Sequence, residues 1–327
     1  MTLLLAAQAA ELNRDERATG IYYTKMTEKP ETRLLGLRGL VNQAKRNNEY
    51  QKALELALQA DQEKPGTDWV LKELFDLSLQ LKDFDGALKY LERSGKGKAA
   101  KDPARLHLKA ILEYERAIRR LDASDVQQAQ ALLQRAHDLD PDFVPATAKL
   151  ISLSDDGRRR EKLISAAWRQ TPHPDVALAI KRLVPVESEA DWYARAKKLF
   201  LSTNPDHRES LIELAKAALA AREWGDARKY LNALLESDPS VSVYRLLADL
   251  EEKANADAAA ARNWIQKIPE AKADPEWHCD HCGRIQRKWT SRCGSCNSFD
   301  SFEWKSTDVD LEDQLIEAQV VKELTGN

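Results

Sequence analysis

The chain has 327 residues, with 50 Lys and Arg against 53 Asp and Glu, a net charge of −3. That balance excludes a general nucleic-acid or anionic-membrane surface and leaves room only for local basic patches. Charged residues make up 31%, Gly and Pro contribute 12 each, and no run of about 18 apolar residues is present to span a membrane, so the composition is that of a helical protein.

The first predicted hairpin ends at Pro30 and, aligned on that proline, turns Leu5, Ala6, Ala9, Ala18 and Tyr22 inward. Met1 then falls within the first turn of its first helix. A repeat array ordinarily opens on a polar capping element, so the expectation is that Met1 is not the natural start or that a segment precedes it. The second hairpin carries Leu37, Leu40, Val41 and Ala44, then Tyr50, Ala53, Ala57 and Ala60, and stops at Pro65. The third carries Leu71, Leu74, Phe75 and Ser78, then Phe84, Ala87 and Leu91. The fourth keeps Ala117, Ala129, Leu133, Ala136 and Pro141. Copies ending at Pro172 and Pro205 are degenerate, and Val184-Pro185-Val186 interrupts one of them.

The clearest copy runs from Arg208 to Pro239. Leu211, Leu214, Ala215 and Ala218 fall at i, i+3, i+4 and i+7, one face of a helix. Trp224-Gly225-Asp226 reads as the break. A second helix follows with Ala227, Leu231 and Leu234 inward, and Asp238-Pro239 stops it. A last hairpin spans Tyr244 to Pro275, with an alanine-rich second helix at Ala258–Ala261.

The stops at Pro30, Pro65, Pro141, Pro172, Pro205, Pro239 and Pro275 are 35, 76, 31, 33, 34 and 36 residues apart, the 76 being two units. A period near 34 is that of the tetratricopeptide repeat. The predicted fold is therefore all-α: a tetratricopeptide superhelix of about eight hairpins over 1–275. A four-cysteine ribbon over 276–305 and an acidic tail over 306–327 complete the chain. Leu311, Leu315 and Val320-Val321 in that tail suggest at most one weak helix, and a solvated terminus is preferred.

All four cysteines lie between Cys279 and Cys296. Cys279 and Cys282 form one Cys-x-x-Cys pair, Cys293 and Cys296 a second, with ten residues between Cys282 and Cys293. Each pair bends into a knuckle, and Gly283 and Asn297 just after them tolerate a left-handed backbone. Four sulfurs make a closed tetrahedral site with no position left for substrate, so the expected metal is a structural zinc, with iron possible in the same cage. His278 and His281 are placed outside the ligand set. Trp277, Ile285, Trp289, Phe299, Phe302 and Trp304 form a mini-core expected to dock in part on the last hairpin. Arg284, Arg287, Lys288 and Arg292 are too few to argue for nucleic acid, which is not expected as a partner.

Catalytic motifs are missing. Ser94-Gly95-Lys96-Gly97-Lys98 is followed by Ala99 and lacks the preceding strand a phosphate loop needs. There is no Gly-x-Gly-x-x-Gly and no Gly-x-Ser-x-Gly. His107, His137, His173 and His207 stand singly and read as surface or satisfied helix residues. The chain is read as no enzyme.

The combination of helical repeats with Trp277-x-Cys279-x-x-Cys282-Gly283, Trp289, Cys293-x-x-Cys296 and Phe299-Asp300…Trp304 resembles the soluble part of the bacterial HemY family, a tetratricopeptide family associated with haem biosynthesis. The resemblance covers nearly the whole chain, through Leu3–Glu11, Pro30-Glu31-Thr32, Gly36–Leu40, Trp69-Val70-Leu71, Phe75-Asp76-Leu77, Ala167-Trp168-Arg169, Pro172-His173-Pro174 and Trp224–Arg228. The layout also looks like that of LapB, a lipopolysaccharide-assembly protein with a rubredoxin-like ribbon. Pro172-His173-Pro174 and Phe299-Asp300 favour HemY. Membership implies a bacterial inner-membrane protein held by an N-terminal membrane segment, its repeats on the cytoplasmic face.

Three function classes follow. The first is a non-enzymatic scaffold whose repeat groove binds membrane-associated or haem-pathway proteins, with Arg38, Asn42, Lys45, Trp69, Lys72 and Asp76 as groove candidates. The second is a haem or porphyrin binder using His107 or His137. The third is a LapB-like adaptor acting on a membrane protease in lipopolysaccharide assembly.

Overall fold

The computed structural model describes residues 2–95, 100–155, 157–184 and 187–306. The glycine-lysine loop at 96–99, the Pro185-Val186 interruption and the acidic tail beyond Ser306 lie outside the described residues. Among the described residues there are sixteen α-helices, and the strands all follow residue 275. The chain forms two compact units, Met1–Asp140 and Pro141–Asn327.

The first unit pairs α1 (Leu3–Leu12) with α2 (Glu16–Thr27), α3 (Pro30–Arg46) with α4 (Tyr50–Glu63), α5 (Asp68–Gln80) with α6 (Phe84–Ser94), and α7 (Pro103–Asp122) with α8 (Val126–Leu139). The second contains α9 (Val144–Leu153), α10 (Arg158–Gln170), α11 (Pro174–Lys181), α12 (Glu189–Thr203), α13 (Arg208–Ala220), α14 (Trp224–Ser237), α15 (Val241–Asn255) and α16 (Ala258–Ile265). These are hairpins of the tetratricopeptide type. No helix among the described residues is long and apolar enough to cross a membrane.

One turn recurs inside the hairpins. Arg14, Asn48 and Lys82 have φ near +60° and stand 34 residues apart, as do Arg222 and Ala256; Ser124 is the equivalent in the fourth pair. An acidic residue follows each of them, and in the pairs from Asp15 to Glu223 its N–H reaches the carbonyl five residues back: Asp15 to Ala10, Glu49 to Ala44, Asp83 to Ser78, Asp125 to Arg120 and Glu223 to Ala218. That bond satisfies a carbonyl at the end of the first helix. The same acid then starts the second helix. Asp15, Asp83, Asp125 and Asp257 accept backbone N–H groups of its first turn, a cap contributing about 1 kcal/mol. A left-handed non-glycine residue costs about 1–2 kcal/mol, so capping on both sides of the turn offsets its strain. In the clearest copy the left-handed residue is Arg222, and Gly225 lies inside α14 rather than in the break.

Behind each turn the helices close on alanine. Ala53, Ala57 and Ala60 of α4, Ala129 and Ala136 of α8, and Ala227 of α14 are fully buried. The first hairpin departs by one residue from the inward set read off its proline. It buries Ala7, Ala10, Thr19, Tyr23 and Met26, while Leu5 remains 55% exposed. Its turn at Arg14 lies 34 residues before Asn48, whereas Pro30 lies 35 before Pro65. The connection between hairpins varies by a residue; the turn does not.

The central copies are weakly paired. α11 has only eight residues, and it packs chiefly on α9 while α12 packs on α13. Large side chains replace alanines there: Trp168, fully buried, stacks on Phe200 at 4.0 Å and donates its indole N–H to Ser210 Oγ at 2.8 Å.

Candidate metal centre

After α16 the chain does not continue outward. A short 3-10 turn at Ile268–Glu270 leads it back beside the start of α15. Lys272 N–H donates to Pro239 C=O, and Val241 N–H donates to Lys272 C=O. Asp274 then accepts from Ser242 N–H at 2.9 Å, from Ser242 Oγ at 2.7 Å and from Arg208 at 2.7 Å. Arg208, at the first position of α13, also pairs with Asp238, which Lys272 approaches at 3.2 Å. Burial pushes the Asp238 carboxyl up, but these two cations outweigh it and hold it below the usual carboxylate range.

The ribbon follows at once. Its three strands, β1 (Glu276–Cys279), β2 (Ile285–Gln286) and β3 (Phe302–Lys305), form an antiparallel sheet in the order β2-β1-β3. The register sets Trp277 beside Trp304 and Cys279 beside Phe302. Two knuckles share one hydrogen-bond pattern. Gly283 N–H donates to Cys279 C=O and Cys279 N–H to Arg284 C=O; Asn297 N–H donates to Cys293 C=O and Cys293 N–H to Ser298 C=O. Gly283 at φ 72° and Asn297 at φ 60° supply the left-handed step, as their residue types allow.

The knuckles face each other. Cys279 Sγ is 3.7 Å from Cys296 Sγ, Cys282 Sγ is 3.6 Å from Cys293 Sγ, and all four sulfurs lie within 4.8 Å of one another. A tetrahedron with metal–sulfur bonds of about 2.3 Å has edges of about 3.8 Å. A disulfide needs about 2.05 Å, so these are four separate thiols at the separation a metal imposes. The donor set fits one tetrahedral ion. Neither His278 nor His281 belongs to the converging group. Ser301 Oγ lies 3.2 Å from Cys279 Sγ, Ser298 Oγ lies 3.4 Å from Cys296 Sγ, and Ser295 N–H points at Cys293 Sγ at 3.4 Å. Such donors spread the charge of a thiolate cage. Ligand residues Cys279 and Cys293 are buried and Cys282 is exposed.

The ribbon does not dock on the last hairpin, as its aromatic content suggests it should, but on the starts of α9 and α11. Phe143, which precedes α9, meets Trp289 edge-on at 4.9 Å. His173, which precedes α11, lies 4.3 Å from Trp304 and 5.6 Å from Trp277. The returning segment bypasses α16 and follows the starts of successive first helices, from Ser240 through Arg208 to His173 and Phe143. His173 is therefore no surface residue: it is 2% exposed. Its Nδ1 accepts the Asp175 N–H at 3.0 Å, which caps α11 and leaves the proton on Nε2 of the neutral ring. Burial lowers its pKa to about 4.

The groove candidates gather on α3 and α5. Arg38, Asn42 and Lys72 are exposed, and Lys45, Trp69 and Asp76 half-buried. The Arg38 guanidinium stands 5.3 Å over the Trp69 ring, and Lys45 pairs with Glu73 at 2.5 Å. Trp69 packs against the hairpin core, so it is no free anchor. Of the haem-ligand candidates, His107 Nδ1 is bound to Asp140 at 2.5 Å, and burial lowers the pKa of His137.

No family model matches the chain. Over 204 residues it is 28% identical to the probable magnetosome protein Mms48 of Magnetospirillum gryphiswaldense, an alignment covering 60% of this chain and 44% of that protein. The chain thus spans less than half of that relative's length. A tetratricopeptide repeat protein from Parabacteroides merdae superposes over 82% of this chain and 91% of its own, at 13% identity and TM-score 0.31. YrrB, described as a tetratricopeptide protein with an unusual peptide-binding site, covers 68% of this chain and 94% of its own, at 13% identity and TM-score 0.26. The repeat assignment rests on the 34-residue turn spacing and not on these superpositions.

Proposed function

We propose that this chain is a non-enzymatic scaffold that holds protein partners on its helical repeats and uses a zinc-closed ribbon as a structural brace. The observation that carries the reading is the pairing of an array of hairpins, whose first helices keep polar faces exposed, with a four-sulfur cage that leaves no open coordination position. In this reading residues 1–275 are the array, 276–305 the ribbon and 306–327 an acidic tail. Zinc is preferred to iron because a site with no redox partner beside it needs only a stable tetrahedral ion. The resemblance to the HemY family supports the finer statement: partners among membrane-associated or haem-pathway proteins, at the cytoplasmic face of a bacterial inner membrane. The test is capture from solubilised membranes with the purified chain as bait, alongside porphyrin analysis of a deletion strain. Recovery of haem-pathway proteins and accumulation of precursors are the expected results. Lipopolysaccharide imbalance without porphyrin change points instead to the LapB-like adaptor.

A second reading draws on the relative from Magnetospirillum gryphiswaldense, whose name places it with the magnetosome. It keeps the scaffold and moves its partners to that compartment. Co-localisation with magnetosome membranes, in a strain that makes them, separates the two.

A further inference from the structure

Arg38 and Lys72 stand 34 residues apart, one repeat length, and so occupy the same position on two consecutive first helices, α3 and α5. Both are exposed, and neither forms an ion pair among the described residues. The acids on this face are already answered: Glu73 is bound by Lys45, and Asp76 has a partner of its own. Two uncompensated cations remain. Trp69, fixed against the core, holds the Arg38 guanidinium flat over its ring. A planar guanidinium held in this way is arranged to take a carboxylate with two parallel hydrogen bonds. Asn42, one turn beyond Arg38 on α3, is exposed and offers both a donor and an acceptor.

Packed helices lie about 8–10 Å apart. A polyproline II segment has three residues per turn and rises about 3.1 Å per residue, so residues i and i+3 share a face about 9 Å apart. A β-strand puts i and i+3 on opposite faces. We propose that the exposed face of α3 and α5 binds an extended acidic peptide. Carboxylates three residues apart meet Arg38 and Lys72, and Asn42 bonds the peptide backbone between them. This inference rests on the scaffold reading and names the partner chemistry of its repeat face.

The probe is a fluorescein-labelled decapeptide with two glutamates three positions apart, titrated against the full chain by fluorescence anisotropy. Comparison peptides space the glutamates by two or four, or replace both with glutamine. The expected result is binding that falls with salt, weakens about tenfold in Arg38→Gln and in Lys72→Gln, and weakens similarly with the other spacings. Both substitutions are at exposed positions, and unchanged far-UV circular dichroism confirms that the variants fold. Equal binding of the glutamate and glutamine peptides, or no change in either variant, overturns the proposal. If the Arg38→Gln/Lys72→Gln double variant captures the same membrane proteins as the natural chain, this site is wrong and the scaffold reading stands. If neither chain captures a protein, the scaffold reading itself falls.

Discussion

His173 and Trp304 are 131 residues apart in the chain and 4.3 Å apart in the fold, ring centre to ring centre. Their contact joins the cysteine ribbon to the start of α11. It also keeps the imidazole neutral, because burial lowers the His173 pKa to about 4. In the unfolded chain the pKa returns to about 6.5. Above that value the ring is neutral in both states and has no effect on stability. As pH falls from 6.5 towards 4 the unfolded state binds the proton and the folded state does not, so stability falls, and the loss is complete below about 4. Urea unfolding at pH 7 and pH 5 is expected to show a loss of about 2 kcal/mol from this group. His173→Asn keeps a cap for α11 and removes the titration, so its decline over the same interval should be smaller by that amount. An identical pH dependence in the two proteins contradicts the assignment.

Trp304 carries the docking in a form that can be separated from metal binding. Trp304→Ala is expected to cost about 2–4 kcal/mol, in the range for losing a large packed aromatic. Amide exchange should quicken at the starts of α9 and α11 while metal content stays at one ion per chain. Unchanged exchange at α11 means the ribbon and helices pack independently.

The left-handed turn residues make a prediction of opposite sign. Lys82 and Arg222 adopt φ near +60° with a side chain attached. Glycine relieves that strain, at some cost in unfolded-state entropy, so Lys82→Gly and Arg222→Gly should each raise stability by up to about 1 kcal/mol. Asp83→Ala should lower it by about 1 kcal/mol, because the Asp83 carboxylate caps α6 through Gly86 N–H at 3.0 Å. Thermal unfolding of the three variants checks both signs.

Gly39 is a packing position. A methyl group there would stand 2.3 Å from the Tyr23 ring, which belongs to the neighbouring hairpin. Gly39→Ala should therefore destabilise the first unit by about 1–3 kcal/mol despite its better helix propensity. The double variant Gly39→Ala/Tyr23→Leu should recover part of the loss, which separates steric conflict from a backbone effect.

The repeat was legible because its stops are prolines, and a proline is visible in a sequence wherever a helix must end. The two knuckles were legible for a similar reason: sulfur ligands must pair at short spacing to reach one ion. The turn inside each hairpin was not. Its left-handed residue is Arg, Asn, Lys, Ser or Ala, never glycine, and its signal is the acid that follows, as in Lys82-Asp83 and Arg222-Glu223. That signal is recoverable only once the 34-residue spacing of turns is known. The docking of the ribbon was hidden because Phe143 and His173 are remote from Trp289 and Trp304, and no local pattern links residues more than a hundred positions apart. Pro172-His173-Pro174 is conspicuous in the sequence, but it reads there as an exposed turn. The structure makes it the floor on which the ribbon sits.

X-ray absorption at the metal edge of the purified chain tests the four-sulfur centre most directly. The account predicts one ion per chain with four sulfur neighbours at about 2.3 Å, lost in Cys279→Ser together with the rapid-exchange protection of α11. A shell containing nitrogen or oxygen, or an ion retained at full occupancy by Cys279→Ser, would contradict it.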